Sequence, residues 1–307
     1  MVGLRREAVR VVVPATSANL GPAFDSAGLA LGVFDDLIAM VTDDEGVLVE
    51  ISGEGADSLP RDERHLVVQS MRSAFAWLGA DVPGFVLRCV NSIPHGRGLG
   101  SSAAAIVGGI VLARAMVTDG RERMTDAEVL QLALQREGHP DNIAAALHGG
   151  FTVAWIDEDG RADAIRMDPH ADVRTVVLVP STELATAEAR SLLPGSVTLE
   201  QATRNIARSA VLVHALTVDP SRLMAATLDC IHQSSRAAAY PRSVELVALL
   251  RDAGVPAVIS GAGPSVLAFV DDASAEALTV VDPGDWTVRE VAVSPDGARE
   301  VPLLPEP

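Results

Sequence analysis

The chain reads as an α+β protein built in two halves, and three observations lead there. Strand-like runs stand side by side, as at 29–41 and 47–52 or within 256–270, instead of alternating strictly with helices. Between them lie amphipathic stretches such as 63–79, where Leu66, Val67, Met71, Ala74, Phe75 and Leu78 recur at helical spacing and Gly79 ends the run. With 307 residues, 48% of them hydrophobic, the chain can bury one large core or two that share an interface. The break between halves is expected near residue 150.

Taken in order, residues 8–14 form a valine-rich strand closed by Pro14. Residues 15–28 are small, polar and glycine-bearing, which predicts a loop. Strands follow at 29–41 and 47–52, a helix at 63–79 and a strand at 85–91. A glycine-rich loop then opens a small-residue helix over 101–117, followed by a helix at 126–136. The second half predicts strands at 150–156 and 174–180 and helices at 185–192, 198–217, 221–232 and 242–253. A strand, glycine-rich turn and strand fill 256–270. A short helix near 273–281 and a strand at 286–293 close the chain.

Composition excludes several functions. Charge is −17 with no Lys/Arg-rich run, which argues against a nucleic-acid partner. All the basic side chains other than histidine are arginine. The absence of lysine removes a Walker-type phosphate lysine, a Schiff-base lysine and a pyridoxal-phosphate attachment point. An anionic ligand must then be held by backbone amides or a few arginines. Cys89 and Cys230 make neither a disulfide framework nor a zinc site. No apolar run reaches the length of a membrane span or a signal peptide, so a cytoplasmic enzyme without a membrane partner is expected.

The chemistry concentrates at Pro94-His95-Gly96-Arg97-Gly98-Leu99-Gly100-Ser101-Ser102-Ala103-Ala104, between a strand and a helix. Three alternating glycines let the backbone bend through positive φ and approach a ligand closely. The helix behind them offers unpaired N–H groups and the positive end of its dipole, an anion site that needs no lysine. Ser101 and Ser102 suit capping positions, and a hydroxyl there can reach a phosphate or its Mg²⁺. The even glycine spacing does not fit the dinucleotide fingerprint G-x-G-x-x-G, which argues against an NAD-dependent oxidoreductase.

Residues 94–104 resemble the Pro-x-x-x-Gly-Leu-Gly-Ser-Ser-Ala-Ala signature of the GHMP kinases. Pro14-Ala15-Thr16-Ser17-Ala18-Asn19-Leu20-Gly21-Pro22-Ala23-Phe24-Asp25 and Glu137-Gly138-His139-Pro140-Asp141-Asn142 are similar to motifs of the homoserine-kinase branch. Ser260-Gly261-Ala262-Gly263-Pro264-Ser265 resembles the third GHMP motif. The resemblance implies a two-domain GHMP fold: an ATP-binding, ribosomal-S5-like α/β domain over 1–150 and a ferredoxin-like α+β domain over 151–307. It implies phosphorylation of L-homoserine with ATP and Mg²⁺, and a homodimer. The loop 94–104 would hold the ATP phosphates, and Ser102 and Glu137 the metal. Asn19, Asp25, His139, Asn142, Thr186, Arg190 and Arg236 would surround the substrate. Asp25 would pair with the substrate ammonium or fix its own loop.

Arginine suits a carboxylate because its planar fork donates two parallel bonds. Asn142, Glu137 and Ser102 form the expected catalytic set. An amide cannot take a proton as a carboxylate does, so Asn142 implies catalysis by positioning and charge stabilisation. Asp141 is the alternative base, although neighbouring side chains seldom face the same way. Departures from the family pattern are Ala23 where glycine is common, Ala145 in place of proline, and Gln233-Ser234-Ser235 before Arg236. They leave room for a mevalonate- or shikimate-type kinase, or a non-catalytic metabolite sensor on the same fold.

Overall fold

The computed structural model describes residues 2–272, 278, 284 and 286–303. A long hairpin, β1 (Val9–Ala18) and β2 (Ala27–Thr42), forms the spine of the first sheet. Strand β1 runs through Pro14 instead of stopping there. Its register on β2 shifts between Pro14 and Ala15, which absorbs the missing proline donor as a bulge and carries the strand on to the loop at 19–26. Strand β3 (Gly46–Gly53) pairs in parallel with β4 (Gly84–Asn91), which joins β2, with helix α1 (Leu66–Leu78) as the crossover.

Helix α2 (Ser101–Met116) is buried almost all round, as expected of a helix that is apolar on every face. It packs on α1 and on β1, with a one-turn helix α3 (Gly120–Arg123) beyond it. Helix α4 (Asp126–Glu137) starts on a Thr125–Glu128 capping box and ends at left-handed Gly138, so Glu137 points from a helix end. Helix α5 (Asp141–His148) then packs against β1, β2 and α2.

The expected break at 150 does not coincide with a break between sheets. Strand β5 (Phe151–Ile156) pairs with β2, and β6 (Ala162–Met167) pairs with β5. Toward the other end of the chain, β11 (Arg299–Val301) returns to β1, so the first sheet has seven strands among the described residues. The second sheet holds β7 (Arg174–Pro180), β8 (Ala257–Ile259), β9 (Val266–Val270) and β10 (Trp286–Val291). It is antiparallel in the order β10-β7-β9-β8. Its helices are α6 (Thr186–Ser191), α7 (Leu199–Thr217), α8 (Leu223–Ala226) and α9 (Pro241–Asp252).

Alternation along β7 shows how the sheets share a core. Val176 and Leu178 join a small cluster with Leu250, Ile259 and Ala268, while Val177 and Val179 join the large cluster with Leu29, Leu37 and Ile106. The helix expected at 221–232 shrinks to α8. There the Asp229 carboxylate accepts the N–H groups of Ile231, His232 and Gln233, so a side chain takes the donors that a longer helix would use. The helix expected near 273–281 lies outside the described residues, apart from Leu278. Among the described residues no helix is long and apolar enough to cross a membrane.

Candidate active site

Gly96, Gly98 and Gly100 have φ of 63°, 71° and 69°, so the alternating glycines do make the bend. Space also demands two of them: a Cβ at Gly98 would stand 2.3 Å from the Ser260 carbonyl, and one at Gly100 would stand 1.9 Å from Thr16 Oγ1. The loop's carbonyls are turned into the protein. Gly98 O accepts Ser260 Oγ–H at 2.7 Å, Leu99 O accepts Thr16 N–H at 3.0 Å, and Gly96 O accepts Leu184 N–H at 2.8 Å. Both halves of the chain therefore pin the loop.

Ser101 and Ser102 are not caps. Left-handed Gly100 occupies the cap position without a side-chain bond, which makes the serines the first two helical residues. The first helical bond runs from Ala104 N–H to Gly100 O, so the N–H groups of Ser101, Ser102 and Ala103 precede the helical ladder. Not every residue of the loop faces the same way. Gly96, Gly98, Gly100, Ser101 and Ser102 line the cleft between the halves, while Pro94, Arg97 and Leu99 line a second cavity on the far side. His95 and Ala104 line a third, and Ala103 is wholly buried.

In the cleft, Ser102 Oγ donates to Glu137 Oε2 at 2.9 Å. Burial pushes the Glu137 carboxyl above its ordinary range, against the lowering pull of His139 and Ser102. Among the described residues no group of three or more His, Cys, Asp or Glu gathers as a metal cage. A partly dehydrated carboxylate beside a hydroxyl fits a cation that takes its remaining oxygens from phosphates and water. His139 Nδ1 lies 3.0 Å from Asp141 Oδ1. Burial draws the His139 pKa down, but the bond and charge of Asp141 outweigh it, so the imidazole stays protonated to a higher pH than usual.

Asp141 and Asn142 both line the cleft, contrary to the expectation that neighbours diverge. Asp141 opens α5, where the N–H groups of the first turn are free, and its Oδ1 accepts the N–H of Asn142 at 2.7 Å. The side chain thus curls back beside its neighbour. Asn142 Oδ1 accepts Thr16 Oγ1–H at 2.7 Å, which fixes the amide; one N–H of its NH₂ donates to Asp141 Oδ1 at 3.4 Å, and the second is left to donate.

The other end of the cleft is built on the 19–26 loop. Asn19 Nδ2 donates to Gly261 O, and its Oδ1 accepts Asp25 N–H, both at 2.9 Å. Positive φ falls at Asn19, Leu20, Gly21 and Asp25, not at Ala23, so the alanine there brings no strain. Asp25 holds Arg190 through two bonds, at 2.6 and 3.1 Å.

Arg236 differs. Its residue is 2% exposed, its Nε donates to Ala189 O at 3.0 Å, and it forms no ion pair among the described residues. Burial lowers its pKa. The guanidinium groups of Arg190 and Arg236 lie 5.6 and 5.1 Å from the centroid of Phe24, whose ring also stacks on His232. Thr186, the first residue of α6, completes the wall.

Sequence reasoning missed Phe24 as the platform for both arginines, and it missed the cavity beside His95. That cavity is about 280 Å³ and meets the cleft at Gly96, Ser101 and Ser102. Asp35 lines it and accepts the N–H groups of Ser92 and Ile93 at 2.7 and 2.9 Å; burial pushes its pKa up to about 6. His65 lines it too, 4% exposed, with neither ring nitrogen bonded. A histidine placed just before a helical repeat was the available signal, but nothing in the sequence alone separates it from a core residue.

Comparison with known proteins fits this geometry. The family model described as GHMP kinases N terminal domain matches residues 65–150, and that described as GHMP kinases C terminal matches 213–280. A curated homoserine kinase of Streptomyces coelicolor is 51% identical over 299 residues, 97% of this chain and 96% of that one. The chain belongs to the GHMP kinase family. A second curated relative of this GHMP kinase, the homoserine kinase of Mycobacterium tuberculosis, is 47% identical over 85% of this chain and 84% of its own. Among solved structures, homoserine kinase from Cytophaga hutchinsonii superposes with a TM-score of 0.83 at 26% identity, covering 97% of this chain and 98% of that one. The L. major mevalonate kinase, at 15% identity and a TM-score of 0.69, shares the fold.

Proposed function

We propose that this GHMP kinase transfers the γ-phosphoryl group of ATP to the side-chain hydroxyl of L-homoserine, giving ADP and O-phospho-L-homoserine. The observation that carries the reading is Arg236, a buried guanidinium with no ion pair among the described residues, in the same cleft as the Ser102–Glu137 pair and the N-terminus of α2. A buried cation of that kind calls for an anion from outside the fold. A substrate carboxylate supplies it. The curated relatives, named homoserine kinases and matching nearly the whole chain, support the same substrate.

ATP would place its adenosine in the cavity lined by Asp35 and His65 and its phosphates on the backbone N–H groups of Gly96–Ala103. The N-terminus of α2 offsets the charge of the phosphates. Ser102 and Glu137 would hold Mg²⁺ together with the phosphates, and the ion would neutralise charge that builds on the transferring group and on ADP.

The substrate carboxylate meets Arg236, and Arg190, braced by Asp25, adds a second positive group. In this arrangement Asp25 serves its own loop and Arg190 instead of a free ammonium site. Asn142 donates its amide N–H to the homoserine hydroxyl and aims that oxygen at the γ-phosphorus. The new O–P bond forms as the bond to the bridging oxygen of ADP breaks, and the hydroxyl proton leaves to phosphate or water. Position and charge carry the step, which suits a loose transition state that needs little proton abstraction.

The test is ADP release with ATP, Mg²⁺ and a panel of L-homoserine, mevalonate, shikimate and galactose. Homoserine is expected to be turned over fastest. Turnover of another alcohol without turnover of homoserine would remove the substrate assignment and leave the family intact.

A further inference from the structure

The phosphate loop is a partition with a cavity on each side. Its glycines face the cleft, while Arg97 and Leu99, which alternate with them, face a rear cavity of about 420 Å³ between the two sheets. That volume is within the range of small-molecule sites. The rear cavity takes its floor from Leu31 of β2 and its wall from Val177 and Val179 of β7, all buried, with Trp286 of β10 at the edge. Nothing in the proposed reaction uses it.

Its charges are few and unequal in availability. Arg97 donates to three carbonyls, those of Pro180, His95 and Ser181, and pairs with Glu183 at 3.5 Å, so its charge is already engaged. Arg289 on β10 lines the same cavity, is exposed, and forms no hydrogen bond or ion pair among the described residues. Glu54 also lines the cavity and disfavours a second negative charge. An apolar body with one anionic head complements such a wall.

We propose that this rear cavity binds a small apolar monocarboxylate, with its head on Arg289 and its body between Leu31, Leu99 and Val177, and that occupancy changes nucleotide affinity through the loop. The coupling follows from the alternation. A ligand packed on Leu99 and the Arg97 stem bears on the same backbone whose N–H groups face the cleft, and the loop carbonyls are pinned from both sides. A loop held this way changes between discrete arrangements instead of yielding continuously.

Trp286 supplies a probe, since the other two tryptophans, Trp77 and Trp155, are 46% and 40% exposed elsewhere. The full-length protein, saturated with homoserine to occupy Arg236, is titrated with 4-methylpentanoate while tryptophan emission is followed. A saturable change is expected. It should be absent with 4-methylpentanamide, absent in Arg289→Gln and absent in Trp286→Phe. Saturating carboxylate should also shift the dissociation constant of ATP by about fivefold or more, the usual scale of coupling between sites. Arg289 is exposed and outside the catalytic cleft, so its substitution should leave the fold and basal turnover unchanged. No saturable signal in the wild-type protein, or a signal that survives Arg289→Gln, overturns the site. Binding without a change in ATP affinity overturns the coupling.

Discussion

Arg236→Met separates binding from stability, because the two should move in opposite directions. Methionine keeps much of the side-chain volume and removes the charge and its donors. In the free protein Arg236 is 2% exposed, makes one backbone hydrogen bond and has no ion pair among the described residues. Its guanidinium is therefore poorly compensated for leaving water, and a buried charge without a partner destabilises the fold. The variant is expected to match or exceed the wild type in thermal stability without ligands. With homoserine the balance reverses. Two charge-assisted bonds to the carboxylate, each worth roughly 1.5–3 kcal/mol, sum to about 3–6 kcal/mol, or a roughly 10²–10⁴-fold loss in kcat/KM. Most of that loss should appear in KM for homoserine, while KM for ATP stays within about twofold. The assay is coupled ADP release with each substrate varied, beside a melting curve of the ligand-free protein. Unchanged KM for homoserine, or a large fall in ligand-free stability, would refute the reasoning.

Other perturbations probe the surrounding parts. Asp35 has its pKa raised from 3.8 to about 6 by burial, so the fold favours its protonated form. Its contribution is fully present below about pH 3.8 and is lost as pH rises through about 6. Asp35→Asn, which keeps an oxygen for the Ser92 and Ile93 N–H groups, should raise stability at pH 7.5 by about 1–3 kcal/mol and by little at pH 4; denaturant titrations at the two pH values check this, and no difference between them contradicts it. Gly98→Ala places a Cβ 2.3 Å from the Ser260 carbonyl at a φ of 71°, and left-handed alanine alone is worth about 1–2 kcal/mol. Its melting temperature should fall by at least roughly 2–4 °C and KM for ATP should rise; Gly195→Ala, with open space around it, should change neither. The raised pKa of Glu137 predicts that kcat/KM for Mg-ATP falls on acidification at a pH above the ordinary glutamate range. Glu137→Gln should remove that limb and lower kcat by roughly 10²-fold or more, with a higher Mg²⁺ requirement; an unaltered acid limb argues against its metal role.

How far the sequence could be read varied with the physical cause. The bend at 96–100 was legible because three alternating glycines ask for positive φ, and each has it; its reading as a phosphate loop came from the whole string 94–104 and not from the glycines alone. The helices α4 and α7 were legible because Thr125 and Thr198 open them as capping boxes. The first sheet's reach was not. Strand β6 carries Asp163 and Arg166 on an outer strand and lacks the alternation of a half-buried one, and β11 contributes only Arg299–Val301. Both are strands only because β5 and β1 offer them an edge. In the cleft, side-chain identities were read from motifs, but directions were not. Whether Asp25 meets Arg190, or Asp141 turns beside Asn142, depends on loop backbone and on a free helical N–H. Pairing over long separations, as between Phe24 and Arg236, has no local signature.

In the proposed complex, homoserine and ATP meet across the cleft that Arg236 and the 94–104 loop both line. The most direct measurement is a crystal structure with L-homoserine, Mg²⁺ and a non-hydrolysable ATP analogue. It should show the carboxylate within hydrogen-bond distance of Arg236, the hydroxyl beside Asn142 facing the γ-phosphate, and the phosphates on the N–H groups of Gly96–Ala103 with the cation on Ser102 and Glu137. Phosphates seated elsewhere, or a homoserine carboxylate that leaves Arg236 without an anion, would contradict it.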